Sequence, residues 1–231
     1  MHKAQTRWAG LALAAVTLIG GCGGPEQTEF PSEDRMTAGI FLEPEERAVL
    51  PAGVALRPVF EPGLELTKVS EGFRSRLYND AARYCTIAYG HLVKLAPCDG
   101  SEPVEFRRGV SEPRGGELLV GDMARAQVTV MTAVTRDLTD GQYAALCDFV
   151  YNVGSGNFRK STLLKVVNAG QHDQVPFQFL RWTRAGGREL PGLKSRREAE
   201  VEIYFEGAVP RAAPAAGVDL SPIDIRAGEV S

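Results

Sequence analysis

An α+β fold, a small antiparallel sheet beside a larger helical lobe, is what this sequence predicts, and three patterns predict it. Residues 76–95 carry Tyr78, Tyr84, Thr86, Ile87, Tyr89 and Val93 separated by turn formers, the rhythm of short antiparallel strands. From about Asp122 onward, apolar residues recur at helical spacing between start and stop signals. Leu66, Val69 and Phe73 form a further helical stripe just ahead of the strands. Sheet and helices segregated along the chain give two adjoining lobes, and such junctions are favoured places for ligand clefts.

The N-terminus reads as an export signal. His2, Lys3 and Arg7 make a basic start, and Trp8 to Gly20 carry no charge. That run is shorter than the roughly 20 residues of a comfortable membrane span. It ends in Leu18-Ile19-Gly20-Gly21-Cys22, which resembles a bacterial lipobox. Residues 1–21 are therefore expected to be a lipoprotein-like signal peptide, with Cys22 lipidated as a membrane anchor. An ordinary cleaved signal with an incidental cysteine is the alternative. Residues 22–62 read as an acidic, proline-bearing tether: 23–62 hold eight acidic and three basic side chains, too polar to offset the entropy of ordering.

The folded domain is expected over 63–207. Its first helix should end near Gly72, placing Glu71 in the last turn. After the strands, Pro97, Pro103, Pro113 and Gly115-Gly116 mark 96–121 as a long irregular crossing. Thr139-Asp140-Gly141-Gln142 is a capping box opening a helix with Tyr143, Leu146, Cys147 and Val150 inward and Gly154 as its stop. Ser161 opens another helix, with Leu164 and Val167 inward and Gly170 ending it. Ser195-Arg196-Arg197-Glu198 reads as a second capping box for a last helix closed by Gly207. Residues 208–231, rich in Ala and Pro, read as a flexible tail.

With 44% hydrophobic and 24% charged residues, wholesale disorder is excluded. The net charge of −3 conceals a basic stretch, 157–197, with nine basic and two acidic residues. Such a lobe would attract an anionic polymer, or it is simply a solvated helical face. Nucleic-acid signatures are absent. The histidines are His2, His91 and His172, without ligand spacing, so no metal or cofactor is expected. Cys85 and Cys98 bracket a turn and a proline-containing loop. A disulfide between them would close 14 residues and contribute on the order of 3 kcal/mol in an oxidising compartment; two free thiols are the alternative. Cys147 falls on an apolar helical face as a small buried hydrophobe.

Glu71, Asp80 and Thr86 carry the chemistry. Two carboxyls flanking a sugar bond are what glycoside hydrolysis requires, one to protonate the leaving oxygen and one to activate water. Spacing alone leaves Glu71 as a helix-end salt bridge, Asp80 as a turn former and Thr86 as a strand residue. The surrounding run Glu71-Gly72 … Asp80 … Thr86-Ile87-Ala88-Tyr89-Gly90-His91 resembles the active-site segment of phage-type lysozymes, the endolysins of glycoside hydrolase family 24. Further blocks keep that family's order: Phe149 to Gly154, Ser161 to Leu164 with Asn168, Arg181-Trp182, and Gly192-Leu193 with Arg196, Arg197 and Glu198. Ala88 departs from it, standing where glycine is usual, and tightens the turn if that position needs positive φ.

The resemblance covers roughly Gly63 to Gly207 and implies a lysozyme-like fold with a cleft between the lobes. It implies an N-acetylmuramidase acting on peptidoglycan with inversion, Glu71 as acid, Asp80 as base and Thr86 holding the water. An inverting pair should stand about 6.5–9.5 Å apart. Family members pair the acid with an arginine from the late helical lobe, here Arg196 or Arg197. Tyr89 and His91 are expected to brace the hairpin or meet substrate, and Tyr151 and Trp182 to line the cleft or pack in the core. Some family members carry a weakly hydrophobic signal-anchor, a third reading of the N-terminus. The expected setting is periplasmic, as a monomer on the murein. A lytic transglycosylase and a non-catalytic wall-binding lipoprotein are the rival readings.

Overall fold

The computed structural model describes residues 50–229; the signal, the lipobox cysteine and most of the tether lie outside the described residues. The chain enters along Arg57, whose guanidinium bonds the Leu138 carbonyl and Asp140 and stacks on Tyr143. Helix α1 (Glu61–Glu71) leads into strands β1 (Arg74–Asn79), β2 (Cys85–Ala88) and β3 (His91–Lys94), an antiparallel sheet in the order β1-β2-β3. There follow α2 (Val104–Arg107), α3 (Glu112–Ala133), α4 (Asp140–Val153), α5 (Ser155–Lys160), α6 (Thr162–Asn168) and α7 (Val175–Phe179). A two-stranded hairpin, β4 (Arg184–Ala185) and β5 (Arg188–Glu189), and α8 (Pro191–Tyr204) complete the fold. The α+β expectation stands.

Helix α4 is the axis. Eleven of its fourteen residues are buried, as α1, α3 and α8 pack around it. Its capping box forms as expected, with Thr139 and Gln142 satisfying each other's backbone amides, and Gly154 ends it at φ 87°. Phe149 sits at the centre, edge-on to Phe179 and Trp182 with centroids 5.3 and 5.4 Å away. Cys147 is buried and free, as expected.

Four expectations give way. Helix α1 turns a polar stripe inward, Gly63, Thr67 and Glu71, while Val69 is 60% exposed. Gly63 lets α1 lie against α4, since a side-chain carbon there would meet Ala144 Cβ at 2.8 Å. The expected crossing over 96–121 is helical from Glu112, capped by Ser111 with Pro113 in the first turn, where its missing N–H costs nothing. Gly115, which read as a breaker, is a contact glycine: a side chain there would strike Phe73 at 2.7 Å and Ala88 at 3.1 Å. Ser195 opens no helix, because α8 begins at Pro191 and carries Ser195 in its interior.

The fourth concerns the residues after Gly207. Ile223 and Ile225 are buried in the main core, Glu229 pairs with Arg181 at 2.6 Å, and Asp224 bridges to Arg184 beside the β4–β5 hairpin. Two isoleucines outweigh the alanine-rich composition that read as a tail. Ile225→Ala should therefore destabilise the protein by about 2–5 kcal/mol, read from urea unfolding midpoints at constant m. A shift no larger than that of an exposed substitution would return the segment to a passive tail.

Candidate active site

Glu71 is the last residue of α1, and Gly72 ends the helix at φ 69°. The carboxyl thus sits at the negative end of the helix dipole and is 8% exposed. Burial raises its pKa above the ordinary carboxylate range, against the pull of the Arg196 guanidinium and with further help from Asp148. Arg196 Nη1 donates to Glu71 Oε1 at 2.9 Å. The same guanidinium grips Asp148 with two bonds, Nε to Oδ2 at 2.9 Å and Nη2 to Oδ1 at 2.8 Å. Thr67 adds a third, its hydroxyl donating to Asp148 Oδ1 at 2.6 Å.

The division of labour follows from this geometry. Asp148 is buried, yet the two-pronged contact with Arg196 holds it below the usual carboxylate range. Because Asp148 takes the larger part of that positive charge, Glu71 keeps a preference for its proton. Of the two candidate arginines, Arg196 pairs with the acid. Arg197 bonds Glu200 at 2.6 Å and Asn152 at 2.9 Å, and lies over the Phe149 ring.

Asp80 and Thr86 meet through Tyr84. The turn after β1 is closed by Asp80 N donating to Tyr84 O at 2.9 Å and Tyr84 N donating to Asp80 Oδ1 at 2.7 Å. Thr86 Oγ1 donates to that same Tyr84 carbonyl at 3.1 Å and keeps its lone pairs. Thr86 pairs with Tyr78 across the ladder, and neighbours in register share a face of the sheet. Burial raises the pKa of the Tyr78 phenol against the pull of Arg74, and the charges of Glu71 and Asp80 push it the same way.

The hairpin is fastened behind the site. Cys85 and Cys98 form the disulfide, Cys98 N donates to Asn79 Oδ1 at 2.8 Å, and the loop's Glu102 accepts from Asp99 and Gly100 amides. Ala88 does adopt positive φ, 57°. The ~1–2 kcal/mol that a left-handed alanine costs is partly offset by its buried methyl, worth about 0.8 kcal/mol. In the following turn, Gly90 lies beside Glu71 Oε2, 4.0 Å from where a side chain would begin.

Tyr89 and His91 brace the hairpin. The Tyr89 hydroxyl donates to Glu112 at 3.0 Å, its pKa pushed up to about 12 by burial and that bond, and His91 Nδ1 lies 2.9 Å from Asp122 on α3. Tyr151 is half-buried, its hydroxyl donating to the Tyr89 carbonyl at 3.4 Å, and burial raises its pKa well above the ordinary value. Trp182, 1% exposed, packs on Phe149 in the core and offers no surface to a ligand. Sequence reading missed Asp148, Thr67 and Tyr78. A lone aspartate inside the apolar run Leu146 to Val150 was the available signal, since a buried charge demands a partner. Among the described residues, the grouping of metal-type side chains at Cys85, Cys98 and Glu102 has both sulfurs in the disulfide.

Residues 68–200 match the family model described as phage lysozyme. The chain is 34% identical over 152 residues to the endolysin of Bacillus phage B103, a match covering 64% of this chain and 54% of that one. It thus spans about half the length of that relative. It is also 34% identical over 137 residues to the SAR-endolysin of Bacteriophage PS119, covering 59% and 77% of the two chains. The muramidase domain of SpmX from Asticaccaulis excentricus superposes with a TM-score of 0.56 at 26% identity, over 64% of this chain and 97% of that one.

A carboxyl with a raised pKa binds more protons folded than unfolded, so it makes stability fall as pH rises from 4.5 through its folded pKa. Glu71→Gln, a neutral isostere, should leave the melting temperature at pH 7 at or above that of the native chain. The difference should shrink as pH falls below 4.5, where the carboxyl is mostly protonated in both states. A melting temperature clearly lowered at pH 7 would mean that the Arg196 contact outweighs burial.

Proposed function

The chain belongs to the phage lysozyme family, and from that premise we propose that it is an N-acetylmuramidase. It cleaves the β-1,4 bond between N-acetylmuramic acid and N-acetylglucosamine in peptidoglycan, in bacteriolysis or wall remodelling. The observation that carries this is the buried Glu71 at a helix end, its pKa raised by burial, together with an Asp80–Thr86 pair joined through the Tyr84 backbone.

Glu71 protonates the leaving glycosidic oxygen, the role a raised carboxyl pKa serves. Asp80 and the Thr86 hydroxyl orient and deprotonate a water on the opposite face of the sugar, giving inversion. Arg196 stands ready to stabilise the carboxylate left when Glu71 gives up its proton, and Asp148 restrains it beforehand. A lytic transglycosylase uses a single acid and no water, so the Asp80–Thr86 pair would have no task there. A wall-binding protein without activity would have no use for a desolvated acid.

Export precedes this chemistry, since murein lies outside the cytoplasm. The chain's basic, apolar N-terminus and its likeness to a SAR-endolysin support export. Lipidation at Cys22 is the anchor we favour over a signal-anchor, on the lipobox-like run before it. We expect a monomer. Among the described residues, no helix is long and apolar enough to cross a membrane.

Two measurements test the reading. On purified sacculi, Glu71→Gln and Asp80→Asn should each slow clearing by about 10²–10⁴-fold, and mass spectrometry should find hydrated reducing ends. Anhydro-muramyl products would assign a transglycosylase, and undiminished clearing by Glu71→Gln would remove the acid from the mechanism. Separately, Cys22→Ser should move the exported chain from the membrane to the soluble fraction. Unchanged fractionation would rule out the lipid anchor.

A further inference from the structure

Glu71, Asp148, Arg196, Arg197 and Glu200 form one connected cluster, contributed by α1, α4 and α8, and each is at most 8% exposed. Arg196 links four of them. Its Nη1 donates to Glu71, its Nε and Nη2 grip Asp148, and its Nε lies 3.9 Å from Glu200 Oε1. That same Glu200 oxygen accepts from Arg197 Nη2 at 2.6 Å. Arg197 also donates to Asn152 and lies over the Phe149 ring, contacts that favour a cation without a carboxylate.

Two features of Glu200 do not fit an ionised carboxylate. A side-chain hydrogen bond joins it to Asp148, and two carboxyls can share such a bond only when one carries a proton. Its Oε2 is buried and meets no donor among the described residues, which is costly for a charged oxygen. A proton on Oε2 answers both, turning that oxygen into a donor and leaving Oε1 to accept from Arg197. Asp148 is not the holder of the proton. It accepts two bonds from Arg196 and one from Thr67, and such donors favour the charged form. The pKa directions agree: burial pushes Glu200 well up, while Asp148, despite burial, is held below its ordinary value by Arg196.

We propose that Glu200 is a positioning residue: it holds a proton in a hydrogen bond to Asp148 and so keeps one unit of positive charge in the cluster for Glu71. The two arginines then outweigh the Asp148 carboxylate by one charge while Glu71 is neutral. When Glu71 gives its proton to the leaving oxygen, its new carboxylate brings the cluster to neutrality. With Glu200 ionised the cluster would already be neutral, and proton transfer would leave a buried charge uncompensated. The catalytic consequence rests on the muramidase reading; the proton itself does not. Glu71 is electrostatically coupled to Arg196 on α8, Asp148 and Tyr151 on α4, and Tyr78 on β1, and Glu200 to Arg196, Arg197 and Asp148.

The test is the pH dependence of kcat/KM on sacculi, whose basic limb marks loss of the proton from the acid. Asp148→Asn removes a negative charge and leaves Arg196 to Glu71, so the limb should move to lower pH, with kcat/KM down about tenfold there. Glu200→Gln copies a protonated glutamate in shape and charge, and should keep the limb at its native position. Three patterns overturn the proposal: a limb displaced in both variants, in Glu200→Gln alone, or in neither. Infrared spectra in heavy water read the proton without catalysis. In the inactive Glu71→Gln chain a protonated carboxyl band should persist at about pH 8 and vanish when Glu200→Gln is added. Absence of that band from the Glu71→Gln chain would overturn the proposal whatever the activity. Its presence, in a protein whose native chain cuts no sacculi, would uphold the proton on Glu200 while the muramidase reading falls.

Discussion

The buried Arg196 guanidinium is the point on which the structure turns. It is fully enclosed and joined to two carboxyls, one from the end of α1 and one from the middle of α4. Taking such an ion out of water costs several kcal/mol, repaid only when the geometry is good and the remaining donors are satisfied. The inward face of α1 is polar for this reason, with Thr67 bonding Asp148 and Gly63 admitting the close approach that sets the distance. Helices α1, α4 and α8 are held in one register by this contact and the apolar core around Phe149.

The same arrangement separates the roles of two buried carboxyls. Asp148 receives two bonds from the guanidinium, which hold its pKa below the ordinary carboxylate range; Glu71 receives one bond at a helix end, and burial raises its pKa. Two acids near one cation are thus pushed apart in affinity, the pattern expected where one of them must act as an acid. Glu200, buried beside Arg197, has its pKa held well above the ordinary range by burial and extends the buried polar cluster.

The opposite half of the site is built from a different material. Asp80 and Thr86 owe their places to a tight turn, a strand ladder, and the disulfide and loop fastened behind them. In the proposed reading, the acid is therefore set by helix packing and the water-holding groups by sheet geometry. The contact of Gly115 with Phe73 and Ala88 ties one to the other. Positive φ at Ala88, tolerated because its methyl is buried in that contact, belongs to the same joint.

By itself the sequence determined whatever depends on neighbours along the chain. The end of α1 at Glu71, the strands over 76–95, the Thr139 capping box, the Ser161 cap and the spacing of Glu71, Asp80 and Thr86 are local, written in caps, turn formers and periodicity. The tertiary structure decided everything that depends on what a residue meets across the fold. Gly115 read as a breaker because its partner, Phe73, is 42 positions away; Val69 read as core because the polar ladder opposite α1 lies on α4 and α8. The choice between Arg196 and Arg197, adjacent in sequence, was settled by the direction each faces on α8, one toward Glu71 and Asp148 and the other toward Glu200. Ile223 and Ile225 were hidden among alanines and prolines, since composition cannot show that a core awaits them. A pattern along the chain reports which groups are available, and burial and charge pairing between distant segments determine what those groups do.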